Sequence, residues 1–240
     1  MMTRLSVNIN KVATIRNARG GNAPDVLECA VRCEEFGAEG ITVHPRPDAR
    51  HIRYDDVRTL KPLVKTEFNI EGNPVPSFTE LVCEVVPTQV TLVPDAEDAI
   101  TSNKGWDTVS NREFLTKTCA LFKSRGIRTS IFVDPDPEMV RGAALCGCDR
   151  VELYTEAYAS GYAKNREKAI EPYYIAAKAA GECGLGLNAG HDLNLDNLNY
   201  FIRTIPWVDE VSIGHAIICD ALYMGLEKTI AAYLGEIRKF

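Results

Sequence analysis

The sequence lacks several features, and each absence argues against a class of protein. It has no run of 18 apolar residues, which argues against a membrane span, and its start, MMTRLSVNIN, lacks the apolar segment of a signal peptide. It has eight cysteines but no CxxC pair, so a zinc ribbon is not indicated. An even cysteine count also fits a disulfide framework, but such frameworks are typical of short secreted chains. We therefore expect buried free thiols and a cytoplasmic location.

An excess of positive charge is also missing. Lysine and arginine total 27 against 33 aspartates and glutamates, giving a net charge of -6. This balance argues against a nucleic-acid partner, whose binding depends on neutralising phosphates. Positive charge is nevertheless concentrated locally, because no acidic residue precedes Asp25. Arginines cluster near predicted strand ends at Arg16, Arg19, Arg46, Arg50 and Arg53. Such local charge suits a small anionic ligand.

Short β-branched runs alternate with segments that have helical spacing of apolar residues. The predicted strands are 5–9, 40–43, 67–70, 89–93, 129–133, 150–154, 186–188 and 210–213. The predicted helices include 25–36, 77–86, 111–125, 137–146, 170–183, 195–204 and 220–237. Eight such repeats favour a (β/α)8 TIM barrel that forms one domain over residues 1–240. A doubly wound open sheet is the alternative, but no GxGxxG fingerprint follows the first strand.

Polar and ionisable residues follow most of the predicted strands. In chain order they are Asn8, Asn10, His44, Glu71, Asp134, Glu152, His191 and His215. In a barrel of this kind the loops after the strands converge on the active site. A carboxylate at the end of an apolar strand costs free energy unless it is paired, protonated or catalytic. Imidazoles and partly desolvated carboxylates together indicate general acid–base catalysis.

Two late loops combine glycine with histidine. NAGHD (residues 188–192) and SIGHA (residues 212–216) end the seventh and eighth predicted strands, and a helix is expected to begin near Ile217. Phosphate groups in barrels are commonly held by the loops after these two strands, with a helix N-terminus behind them. The sequence therefore predicts a phosphorylated substrate.

Seven stretches carry a resemblance to a known family. They are VNINKVATIRNARGG, GITVHPRPDARHI, NIEG, TLVPD, VELYTEAYA, LNAGHDL and SIGHAII, in this order, from about residue 5 to residue 235. Together they closely resemble the pyridoxine 5′-phosphate synthase family. The resemblance implies a (β/α)8 barrel with extra helices, assembled as a homo-octamer. It also implies condensation of 3-amino-2-oxopropyl phosphate with 1-deoxy-D-xylulose 5-phosphate to pyridoxine 5′-phosphate, phosphate and water, without a metal or redox cofactor.

The resemblance also implies roles for individual residues. His44, Glu71 and His191 correspond to the acid–base residues, and Glu152 to a further proton-transfer or water-handling group. Asn8 and Arg19 are implied as contacts of the aminoacetone phosphate. Arg46, His51 and Thr101 are implied as contacts of the sugar phosphate, and Gly214 with His215 as a phosphate cradle.

The sequence departs from the family pattern at a few site positions. Asn10 and Lys11 stand where the family has an aspartate–histidine pair, Asp192 replaces an expected glycine, and Pro45 follows the first catalytic histidine. Asn10 can still form hydrogen bonds but carries no charge, whereas Lys11 is a permanent cation. We expect Asn10, Lys11 and Asp192 to contact the substrates, so these changes affect substrate binding and leave the acid–base set intact.

Three other functions remain open from the sequence. Histidines and carboxylates could ligate the ion of a metal-dependent hydrolase, although the first strand has no HxH pair. Another phosphosugar lyase or isomerase could use the same barrel, but a Schiff-base aldolase would need a lysine where Glu152 lies. A phosphometabolite-binding protein without catalysis is the non-enzymatic alternative.

Overall fold

Eight parallel strands close into a barrel in the computed structural model, which describes residues 2–95 and 104–239. Each strand pairs with the next along the chain, and the last pairs with the first. The strands are β1 (Arg4–Asn8), β2 (Gly40–Val43), β3 (Glu67–Gly72), β4 (Gln89–Leu92), β5 (Arg128–Val133), β6 (Arg150–Tyr154), β7 (Gly186–His191) and β8 (Glu210–Ile213). The predicted (β/α)8 barrel is confirmed. The predicted β3 and β7 were too short, since β3 includes Glu71 and β7 extends to His191.

Helices connect the strands on the outside of the barrel. They are α1 (Asn10–Arg19), α2 (Val26–Glu35), α3 (Tyr54–Leu60), α4 (Pro76–Val85), α5 (Arg112–Ser124), α6 (Pro137–Leu145), α7 (Glu156–Tyr162), α8 (Arg166–Glu182), α9 (Leu198–Thr204), α10 (His215–Met224) and α11 (Leu226–Arg238). The single helix predicted over 220–237 was wrong. Gly225, with φ of 78°, separates α10 from α11. A helix does follow Gly214, but it begins at His215 and not near Ile217.

Most apolar residues of the strands face outward toward the helices, and most polar residues face into the barrel. In β1, Leu5 and Val7 belong to the hydrophobic core, whereas the intervening Ser6 faces Thr42 of β2 at 2.8 Å between hydroxyl oxygens. This alternation is the two-residue period of a strand. Further inside, the Thr91 hydroxyl lies 3.1 Å from Oδ1 of Asn69 and 3.4 Å from Oε2 of Glu152. The interior is therefore a hydrogen-bonded polar layer that leads up to the site.

Ion pairs cover the opposite end of the barrel, where the strands begin. Glu67 accepts from Arg4 at 2.9 Å and also pairs with Arg128, whose Nε donates to Gln89 at 2.9 Å. Because Glu67 is almost fully buried, two guanidinium partners offset the cost of desolvating its charge.

The eight cysteines are all free, as the sequence predicts. Burial was predicted for all of them and is wrong in part. Cys33, Cys119, Cys146 and Cys148 are buried, but Cys183 is exposed and the other three are partly exposed. Among residues 2–95 and 104–239, no helix is long and apolar enough to cross a membrane.

Candidate active site

A cavity of about 350 Å³ opens at the carboxyl ends of the strands. It is lined by Asn8, Asn10, Lys11, His44, Arg46, His51, Glu71, Val93, Phe132, Glu152, His191, Asp192, Ser212, Gly214 and His215. Every predicted site residue except Arg19 and Thr101 is in this set. The fold therefore brings together side chains that lie more than 200 positions apart in the sequence.

The two remaining candidates are Arg19 and Thr101. Arg19 is exposed at the end of α1 and does not line the cavity. Thr101 lies outside the described residues. Asp134, a strand-end residue in the sequence pattern, does not line the cavity either and accepts the backbone N–H of Gly105 at 3.2 Å.

Glu71 is a buried carboxyl group with a raised pKa. It sits inside β3, facing the cavity, and accepts a hydrogen bond from Nδ2 of Asn8 at 3.3 Å. Burial and the nearby carboxylates of Asp95 and Glu210 raise its pKa to about 8, against smaller lowering effects from Ser212 and Arg46. Glu71 is therefore mostly protonated at neutral pH and can donate a proton.

Glu152 lies deeper, on β6, and is even less exposed than Glu71. Burial, followed by the charge of Glu71, raises its pKa well above the usual range, while the Thr91 hydroxyl opposes this. Gly190 on the adjacent β7 makes room for it, since a Cβ there would lie 2.5 Å from Oε1 of Glu152. Two neighbouring buried carboxyl groups cannot both ionise readily, because each charge raises the pKa of the other group.

His44 follows β2, and its pKa is lowered, whereas the pKa values of Glu71 and Glu152 are raised. Burial comes first among the causes that hold its pKa well below the usual range, and Arg46 adds to it. The backbone N–H of His44 donates to Oδ1 of Asn10 at 2.8 Å, which fixes the start of the loop. Its Nδ1 lies 3.9 Å from Oε2 of Glu71. A neutral imidazole, which can act as a base, thus lies next to a protonated carboxyl group, which can act as an acid at the same pH.

Buried donors for an anion lie beside His44. Arg46 pairs with Asp95 at 2.5 Å through Nη2, while its buried Nε has no hydrogen-bond partner within the described residues. His51 packs edge-on to His44, with ring centroids 6.0 Å apart, and its buried Nδ1 is likewise without a partner among those residues. Burial and the cations Arg46 and Lys11 lower the pKa of His51 to about 4. Buried polar atoms without protein partners are typical of a ligand site.

Asp95 and Arg16 are buried residues near the cavity whose contacts the sequence did not predict. Asp95 ends the TLVPD stretch and lies 4.0 Å from Nε2 of His44 as well as pairing with Arg46. Its position just after β4 is the same signal that identified the histidines. Arg16 was grouped with the candidate anion-binding arginines, but it is fully buried and forms two hydrogen bonds to Asp56, at 2.7 and 2.8 Å. Its guanidinium also donates to the carbonyl oxygen of His51 and so holds the loop that carries His51.

His191 and Asp192 form a close pair at the end of β7. Nδ1 of His191 lies 2.5 Å from Oδ2 of Asp192. The ring of Tyr154 packs against the imidazole at an interplanar angle of 87°, with centroids 5.2 Å apart. His191 has a positive φ of 100°, which is uncommon outside glycine. The end of this strand is therefore shaped to direct one imidazole into the cavity.

Gly214 and His215 place the start of α10 at the cavity. Gly214 precedes the helix, and a Cβ there would lie 3.0 Å from the backbone oxygen of Asn8 on β1. A side chain at this position would fit only if Asn8 shifted by a few tenths of an ångström. Since the first N–H groups of a helix have no partner within it, this terminus favours an anionic ligand. Within the described ranges, no group of three or more His, Cys, Asp or Glu side chains is arranged to hold a metal ion.

Known proteins resemble this chain over nearly its full length. The family described as pyridoxal phosphate biosynthesis protein PdxJ matches residues 5–239. The pyridoxine 5′-phosphate synthase of Cytophaga hutchinsonii is 65% identical over 238 residues, covering 99% of this chain and 100% of the relative. That of Bacteroides thetaiotaomicron is 65% identical over 237 residues, with the same coverage. Among solved structures, 3-keto-L-gulonate-6-phosphate decarboxylase from Vibrio cholerae has a TM-score of 0.67 at 9% identity, covering 100% of this chain and 99% of that one, which supports the fold alone.

Proposed function

The chain belongs to the family of pyridoxal phosphate biosynthesis protein PdxJ, and from this premise we propose that it is a pyridoxine 5′-phosphate synthase. It condenses 3-amino-2-oxopropyl phosphate with 1-deoxy-D-xylulose 5-phosphate and releases pyridoxine 5′-phosphate, inorganic phosphate and water. The observation that carries the proposal is the convergence of His44, Glu71, Glu152 and His191 on one cavity.

The pKa shifts suit a reaction made of many proton transfers. The amine of one substrate attacks the ketone of the other, neutral His44 takes the proton from nitrogen, and Glu71 protonates the ketone oxygen. His44 then returns its proton to the new hydroxyl group, which leaves as water, while the ionised Glu71 takes the second proton from nitrogen and an imine forms. Glu152 assists the water-forming steps. His191 acts in the later ring closure.

The remaining lining residues hold the substrates. Arg46 and His51 bind the sugar phosphate, and their unpartnered buried nitrogens support this role. The start of α10 at Gly214 and His215 binds a phosphate group. Asn8, Asn10 and Lys11 orient the hydroxyl, carbonyl and charged groups of the substrates at the mouth of β1. Arg19 and Thr101 are proposed as further phosphate contacts on the strength of the family resemblance alone.

Product formation from the two phosphorylated substrates tests the proposal. Purified protein, without added cofactor, should form pyridoxine 5′-phosphate, followed by its absorbance and fluorescence, and should release inorganic phosphate in equal amount. Activity should persist after treatment with a chelator, because the proposed acid–base groups need no metal. Folded protein that makes no product would contradict the proposal. Hydrolysis of either substrate that is lost on chelation and restored by a divalent ion would favour the metal-dependent hydrolase.

We also propose that this single-domain chain assembles as a homo-octamer in the cytoplasm. An apolar groove beside α1 and α10 supports self-association, since it is lined by Ile15 and Leu222, which are 46% and 71% exposed. Tyr223, the next residue of α10, is 91% exposed. Large exposed apolar patches are typical of protein interfaces. Light scattering should give a mass of eight 26.5 kDa chains, and a monomeric mass would contradict the proposal. The eight free cysteines support the location.

A further inference from the structure

The contact between His191 and Asp192 needs an unusual backbone. Consecutive residues of a regular strand point to opposite faces, so their side chains do not meet. Here the positive φ of His191 breaks the strand geometry, and Nδ1 of His191 and Oδ2 of Asp192 come within 2.5 Å. A non-glycine residue adopts this conformation at a cost in free energy, and such strain persists when the surroundings impose it.

Two hydrogen bonds, one to its N–H and one to its carbonyl, hold the backbone of Asp192 in place. Its N–H donates to Oγ1 of Thr155 at 3.3 Å, and its carbonyl accepts from Nδ2 of Asn197 at 3.4 Å. Thr155 is fully buried and also donates to the carbonyl of Gly190 at 2.7 Å, while Asn197 is almost fully buried. The carboxylate therefore comes from a fixed loop and can orient its neighbour.

The carboxylate of Asp192 is not suited to bind the phosphate groups of the substrates, because like charges repel each other. The same carboxylate, bonded to Nδ1, holds the ring proton on that nitrogen and leaves Nε2 to exchange a proton with substrate. Tyr154 limits rotation of the ring from the other side.

We infer that Asp192 is a positioning residue, which fixes the tautomer and orientation of His191 and stabilises the imidazolium that forms during proton transfer. The inference rests on the proposed acid–base role of His191. In the transfer, Nε2 accepts a proton from a substrate carbon or oxygen and later returns it to a departing oxygen, and Asp192 stays ionised throughout. The sequence had placed Asp192 among the substrate contacts, so the two roles make different predictions.

Asp192→Asn distinguishes them. An asparagine amide can donate to Nδ1, which favours the tautomer with the ring proton on Nε2. The same change at the orienting aspartate of a buried Ser-His-Asp triad lowers kcat by about 10⁴-fold. His191 and Asp192 are each about one-third exposed, at 32% and 35%, so we expect a smaller loss in kcat. The expected loss is about 10- to 100-fold, with KM changed by less than about threefold.

Nitrogen NMR of ¹⁵N-histidine-labelled protein should show Nδ1 of His191 protonated in the wild type and a smaller population of that tautomer in the variant. The His191 signals are assigned from their loss in His191→Asn.

Asp196→Asn is the matched control, because it removes the same charge from an exposed position in the same loop. It should leave both kcat and the spectrum unchanged. A raised KM with an unchanged kcat in Asp192→Asn would overturn the positioning role in favour of a substrate contact, as would an unchanged tautomer. Wild-type protein that forms no product would refute the proposed function, whereas the spectra would still decide whether Asp192 sets the tautomer.

Discussion

Glu71→Gln should lower kcat/KM for pyridoxine 5′-phosphate formation by about 10²- to 10⁴-fold, the usual contribution of a general acid or base. Glutamine has nearly the shape of a protonated glutamic acid, and its oxygen can still accept the hydrogen bond from Asn8. It cannot release or take up a proton. Steady-state kinetics with both substrates measures the effect, and a variant that keeps activity within about tenfold of wild type would remove Glu71 from the proposed mechanism.

Stability measured against pH is the control for Glu71→Gln. The pKa of Glu71 is 4.5 in its ordinary state and about 8 in the fold, so the folded protein binds the proton more tightly. The contribution of Glu71 to the stability of the wild type is therefore complete below about pH 4.5 and is lost as pH rises to about 8. Glutamine does not titrate, and the side chain at this position is only 13% exposed. In urea unfolding, the free energy of unfolding of the variant minus that of the wild type should increase by roughly 4 kcal/mol between pH 5 and pH 9. An inactive variant that is also less stable at pH 9 would point to misfolding.

Much of the architecture follows from local sequence patterns. Runs such as GITV and RVELY are rich in β-branched and apolar residues between turn signals, and they fall in β2 and β6 as predicted. The position of His44 after such a run was enough to place it at the cavity. What the pattern could not give is the polar interior. A strand with alternating polar residues has the same sequence whether its polar face meets water or the inside of a barrel.

The contacts that the sequence missed depend on long-range or unusual geometry. Arg16 lies on a helix rich in polar residues, and only the fold brings Asp56, 40 positions away, within hydrogen-bonding distance. The pairing of His191 with Asp192 depends on a positive φ that no residue preference predicts. Gly225, inside an apolar segment, was hidden in a helical pattern because an isolated glycine is tolerated there.

Arg16→Met should destabilise the protein by about 3 kcal/mol, because removing one partner of a buried ion pair leaves the other uncompensated. Arg16 is 1% exposed, and its guanidinium bonds to Asp56 and to the carbonyl of His51 at 3.2 Å. Methionine fills a similar volume without replacing these bonds. Because the loop between β2 and α3 also carries Arg46 and His51, its loosening should raise KM for the sugar phosphate more than it lowers kcat.

Arg58→Met is the matched control for Arg16→Met, since Arg58 also pairs with carboxylates but on the surface, with Glu84 at 2.8 Å and Asp55 at 3.0 Å. Exposed ion pairs contribute little to stability, so the urea midpoint and KM should stay close to the wild-type values. If the two variants unfolded at the same urea concentration, Arg16 would not be the anchor of the loop. If Arg16→Met were destabilised while KM stayed constant, Arg16 would stabilise only the barrel. Arg46 and His51 would then be held by their own contacts, chiefly the Arg46–Asp95 pair.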